Sequence, residues 1–109
     1  MSGKISTTLF NVASTGTGAD IFADDIEPKL AAACAIDITL GGAAVLSVAE
    51  TSGGVTVVHD LNAGAALAAD QAHSLMGPQL VPGRAYNLRT SADVAAKSIT
   101  VSQIRGGVL

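Results

Sequence analysis

Residues 62–75 read NAGAALAADQAHSL, and the assignment of this run separates an all-β chain from a mixed one. Ala, Leu and Gln are good helix formers, so propensity alone favours a helix. A short helix in water, however, needs an apolar stripe packed against a partner. Leu67 and Leu75 are the only large apolar residues here that could form one. Asn62, Gly64 and Asp70 fall where turns would interrupt two short strands. The run is therefore read as strand–turn–strand, with small side chains that let backbones or sheets approach closely.

The flanking sequence supports that reading. Upstream, Cys34, Ile36, Ile38 and Leu40 share one face while Asp37 and Thr39 take the other, the period of a half-buried strand. Gly41-Gly42 turns the chain into AAVLSVAE, and TSGG at Thr51 to Gly54 links that segment to VTVVHDL, a hairpin pattern. Within VTVVHDL, Val55, Val57, His59 and Leu61 fall on one side. Further upstream, KISTTLFNVA at Lys4 to Ala13 alternates as a strand, STGTG marks a loop, and Asp20 to Phe22 offers a short extended piece before an acidic turn. Downstream come HSLMGPQL, a Pro-Gly turn, AYNLRTS and SITVSQI. In the last, Ile99 and Val101 share a face but Ile104 does not, so a bulge is expected near Gln103. The expected fold is all-β: a single-domain β-sandwich or small barrel of about eight short, mostly antiparallel strands. Residues 1–109 read as one domain. Residues 1–10 are expected to form an N-terminal arm or edge strand and 105–109 a flexible C-terminal tail.

Composition narrows the function. Of 109 residues 49% are hydrophobic, yet twenty are Ala, Trp is absent, Tyr occurs once and Phe twice. Small side chains bury little area, so an Ala-rich core gains less per residue than a Leu-rich one. Self-association or docking on a larger surface would supply the difference. The charged fraction is 14% and the net charge −3. The basic residues Lys4, Lys29, Arg84, Arg89, Lys97 and Arg105 are scattered, which does not suit nucleic-acid binding. No apolar run approaches the length of a membrane span, and MSGKISTTLF lacks the apolar core of a secretory signal. The single cysteine, Cys34 in AAACAIDI, reads as a buried inert thiol.

No residue constellation points to catalysis. His59 and His73 lack the paired spacing of metal ligands, and Asp24, Asp25 and Glu27 lack the alternation of a calcium loop. GTGAD at Gly16 to Asp20 lacks the remainder of a phosphate loop. Ser74 beside His73 cannot face it on a strand. The chain is read as a non-enzyme with no cofactor, no metal and no small-molecule substrate. Sugar binding would need an exposed aromatic face, and Tyr86, alternating with Leu88, reads as a core residue with its hydroxyl at the edge. The chain ends are better candidates: Lys4, Ile5, Leu9 and Phe10, with Val108 and Leu109, are expected to make subunit or capsid contacts by pairing with a neighbour's sheet edge or filling its groove.

The layout KISTTLFNVASTGTGADIFADDIEP at the start and VPGRAYNLRTSADVAAKSITVSQIRGGVL at the end resembles the small head decoration, or cement, proteins of tailed bacteriophages. That resemblance implies a β-rich virion protein on the outer capsid surface, made in the host cytoplasm. Its partners would be itself, as a homotrimer, and a major capsid protein that it braces against internal pressure. Neither membrane nor nucleic acid would be a partner. The alternative reading is a glycan- or receptor-binding β-sandwich of a phage tail or fibre, and a third is a small metal-dependent enzyme of cupin-like shape.

Overall fold

The computed structural model describes residues 4–104, and side chains within 7–103. Seven strands run through them: β1 (Lys4–Val12), β2 (Ala32–Leu40), β3 (Leu46–Ser52), β4 (Val55–Asp60), β5 (Ala72–Leu80), β6 (Ala85–Thr90) and β7 (Ala96–Ile104). They form two sheets, ordered β1-β7-β2-β5 and β4-β3-β6, and every neighbouring pair is antiparallel. The chain is all-β, as its alternation predicts, with seven strands among the described residues rather than about eight.

The period of β2 builds the centre of the larger sheet. Cys34, Ile36, Ile38 and Leu40 are buried and Asp37 is exposed. Ile99 and Val101 of β7 lie beside them, and Leu46, Val48, Tyr86 and Leu88 of the other sheet complete one core with Phe22, Leu61, Leu67 and Leu80. Of the twenty alanines, four are buried: Ala32, Ala44, Ala49 and Ala96. The expectation of an Ala-rich core is therefore corrected. Most alanines lie in connections and on outward positions, and the interior rests on Ile and Leu. Each fully buried side chain of that kind contributes about 1.5–3 kcal/mol. The core alone supplies no reason for self-association.

Residues 62–75 depart from both readings of the sequence. Asn62, Ala63 and Gly64 form one left-handed 3₁₀ turn, with φ of 55°, 54° and 78°. Gly64 N–H donates to Leu61 O and Ala65 N–H to Asn62 O. Asn and Gly tolerate this conformation, whereas Ala63 is strained by about 1–2 kcal/mol. Leu67, buried, then makes an isolated bridge with Ala44, and regular pairing resumes only at Ala72. The first of the two expected strands thus shrinks to a single bridge, because one Leu among alanines gives a ladder little to bury.

The β3–β4 hairpin is present and turns on Gly53 and Gly54 alone, at φ of 59° and 81°, with Ser52 opposite Val55. Positive φ at both central residues is the turn whose twist suits a hairpin. No bulge occurs at Gln103: β1 and β7 stay in register to Lys4 opposite Ile104. Gln103 takes the inward place after Ile99 and Val101, and its Nε2 donates to the carbonyls of Leu30, Ala32 and Leu80. The irregularities lie instead opposite Thr39/Leu40 and between Ala33 and Ala35. Asp20 to Phe22 is not a strand, and Phe22 is part of the core.

Candidate functional site

A two-sheet sandwich has four edges, and here they differ sharply. Along β6, residues 15–28 lie against the strand. Gly18, Ile21 and Ile26 donate N–H bonds to the carbonyls of Thr90, Leu88 and Tyr86, and Tyr86 N–H returns one to Ile26 O. Where the backbones part, the buried side chain of Asn87 stands in for a strand residue. Its Oδ1 accepts from Phe22 N–H at 2.9 Å, and its Nδ2 donates to Phe22 O at 2.8 Å and to Asp25 Oδ1 at 2.9 Å. At the far end Thr90 Oγ1 donates to Thr15 Oγ1 at 2.7 Å. Asp93 accepts from Ser14 Oγ and Gly16 N–H, and the Ser14 bond chiefly holds its carboxyl below the usual range.

The β5 edge is interrupted by its own sequence. Pro78 has no N–H to offer, and the register breaks opposite Cys34, where a Cβ at Gly77 would collide with the Cys34 sulfur. The β1 edge carries Asn11 at φ 54°. In contrast, β4 pairs with β3 without a break from Ser47–Asp60 to Ser52–Val55, and no Pro, Lys or bulge guards its outer side.

Large apolar side chains stand exposed on three of these edge strands, β1, β4 and β5. Phe10 of β1 is 71% exposed and Met76 of β5 70%, while Val55, Val57 and Val58 of β4 are 65%, 51% and 47% exposed. Phe10 lies opposite Ser98, one position past Leu9, which pairs with Ile99 and packs on the core. Phe10 and Met76 therefore lie on the outer face of the larger sheet. Lys4 and Ile5 pair with Ile104 and Gln103 through the backbone. The side chains of Lys4 and Ile5 fall outside the described residues, as do Val108 and Leu109 entirely. Sequence alternation missed the β4 valines because it assigns Val55 and Val57 to a core face. Val58, an apolar residue on the opposite face, was the available signal that this strand is apolar on both sides.

The polar groups are committed to internal ties. Glu50 of β3 accepts from Arg84 Nη1 at 2.6 Å and from the Tyr86 hydroxyl at 3.2 Å, and it lies 2.9 Å from His59 Nε2. The Arg84 bond, followed by the His59 bond, holds its carboxyl down at about 2. A carboxylate so saturated anchors the β3, β4 and β6 ends and is a poor general base. Burial pushes the Tyr86 hydroxyl up, and that hydroxyl also accepts from Val81 N–H. With its ring buried, Tyr86 offers no platform for a sugar. A shallow cleft of about 390 Å³ beside this cluster is lined by Glu27, Lys29, Thr51, Ser52 and Arg84 among others, and its one guanidinium is the partner of Glu50. Burial also raises the Cys34 thiol, which donates to Pro78 O. His73 bonds Ala68 O while Ser74 donates to Asp37, so these neighbours diverge. Among the described residues no three His, Cys, Asp or Glu side chains converge as a metal site would require.

No family model and no curated protein matches this chain. Among solved structures, a chain in the structure of infectious bursal disease virus Gx strain aligns over 98% of this chain at 9% identity and a TM-score of 0.47. This chain spans 33% of that chain's length. A likeness at that level carries no argument about function. The site rests on the geometry alone, an open β4 edge and two apolar residues on an outer sheet face.

Proposed function

We propose that this domain is an adhesive structural subunit: a decoration protein that binds the outside of a phage head and stabilises its lattice through contacts with neighbouring subunits. The observation that carries the reading is the position of the exposed apolar residues. Phe10, Met76 and the β4 valines project from strands at sheet edges, while acidic, basic and hydroxyl groups nearby are tied to one another within the chain. Covering such residues removes apolar area from water without breaking an existing bond. The resemblance of residues 4–28 and 81–109 to head decoration proteins supplies the surface on which they would act. Under this reading, Lys4, Ile5 and Phe10, together with Val108 and Leu109, belong to the contact set, while Leu9, also expected there, packs partly buried against the core, and a homotrimer on the major capsid protein is the assembly to look for.

Sedimentation with expanded heads that lack the protein tests the proposal. The purified chain is expected to pellet with the heads, and replacing Phe10 and Met76 together with Ser is expected to leave most of it in the supernatant. Failure of the unaltered chain to pellet at any salt concentration or maturation stage overturns the proposal.

A further inference from the structure

The hydrogen-bonding pattern of the unguarded β4 edge matches that of a second β4. The two-residue Gly53–Gly54 turn makes Ser52 and Val55 a hydrogen-bonded pair, so Val55, Val57 and His59 spend their N–H and C=O groups on β3. Thr56, Val58 and Asp60 therefore direct theirs outward. Antiparallel pairing needs the same alternation on both strands, and a second β4 supplies it. We propose that β4 pairs antiparallel with β4 of a second copy of this chain, about a twofold axis at Val58, joining two three-stranded sheets into one.

Charge selects the register. Asp60 is the sole carboxylate of β4, and the one histidine, His59, is tied to Glu50 of its own chain. With Val58 opposite Val58 of the other copy, each Asp60 faces the Thr56 hydroxyl and each Val57 faces His59. The two Asp60 carboxylates are then separated by four residues, about 14 Å, beyond the screening length at physiological salt. A register centred on Asp60 would instead set them face to face. Asp60 already accepts from Ser47 Oγ through one oxygen, Oδ1. The other edges do not offer a match of this quality. β6 is covered by residues 15–28, β5 is broken at Gly77-Pro78, and β1 carries Asn11 in a left-handed conformation. An isologous pairing of this kind uses up the β4 edge two copies at a time, so it would join one trimer to another rather than build the trimer.

This inference goes beyond adhesion to a head, and it is tested on the protein alone. Two variants that each add one exposed cysteine to the buried Cys34 separate specific pairing from collision. Val58→Cys places the two thiols across the axis, at a Cα separation of about 5.5 Å that a disulfide spans. Thr56→Cys, on the same face, places them about 14 Å apart, out of reach. Under mild oxidation Val58→Cys is expected to form the covalent dimer roughly tenfold or more faster than Thr56→Cys. Equal rates overturn the pairing. Hydrogen exchange on the unaltered chain supplies a second readout. The amides of Thr56, Val58 and Asp60 are expected to gain protection as concentration rises, and unchanged exchange up to millimolar protein overturns the pairing too. If both fail while the chain still pellets with heads, adhesion stands and β4 pairing falls. The reverse result separates them the other way.

Discussion

Along β6, four backbone hydrogen bonds and the amide of Asn87 hold residues 15–28 against the strand, whereas along β4 Val55, Val57 and Val58 lie exposed beside outward-facing backbone groups. Both are edges of one three-stranded sheet, and both belong to strands with regular pairing to β3. What separates them is how their unmet hydrogen bonds are handled. The β6 edge is satisfied within the chain, through a side chain that imitates a peptide. The β4 edge keeps its bonding capacity and adds apolar area to it. An edge left open in this way, beside one sealed with such specific contacts, is a place for another surface to join.

The largest effect that would break this contrast is at Asn87. Asn87→Ala removes the partners of the Phe22 N–H and C=O groups in the interior, at an expected cost of about 2–4 kcal/mol. Urea denaturation measures it, and a loss near zero would show that water replaces the amide and that the seal is incidental. Next comes the tie at the β4 side of the sheet. The Glu50 carboxyl, held at about 2 in the fold against an ordinary 4.5, binds its proton more weakly when folded. Its contribution is therefore complete above pH 4.5 and is lost as pH falls toward 2. Melting temperature followed across that window is expected to drop, and Glu50→Gln is expected to lower the melt at neutral pH and flatten its dependence in acid. A Glu50→Gln variant that melts like the original chain throughout would show the clamp to be without weight. The smallest effect is at Val58. Val58→Lys adds a charge to an exposed edge position and is expected to change stability by no more than about 0.5 kcal/mol, while abolishing concentration-dependent protection of β4. A large destabilisation there would mean that the edge is part of the fold's own support.

The sequence disclosed local pattern well and tertiary substitution poorly. Cys34, Ile36, Ile38 and Leu40 announce β2 by period alone, and Gly53-Gly54 between two Val-rich segments announces the hairpin. Asn87 was not legible as a seal. In AYNLRT it reads as an outward polar residue, and its partner Phe22 lies 65 residues away. Nor did DIFADD show that Phe22 enters the core, since no alternation marks it. In NAGAALAAD the left-handed turn falls partly on Ala63, a residue type with no preference for it, so propensity pointed to a helix and pattern to strands. The contact residues were half visible. Phe10 was named from its place near the chain start, while the β4 valines were hidden because β-branched residues in alternation imply burial only where an opposing surface exists.

In the larger sheet the order β1-β7-β2-β5 inserts the seventh strand between the first and second. Neither β1 nor β2 has that neighbour until a segment some 60 to 100 positions later in the chain arrives to join them, as the pairs Lys4–Ile104 and Leu40–Ala96 record. Closure of so long a loop precedes most of the hydrophobic gain, which places folding in the slow, millisecond-to-second range of all-β domains. A nascent chain would hold β1 without a partner until β7 is complete, leaving an aggregation-prone interval during synthesis.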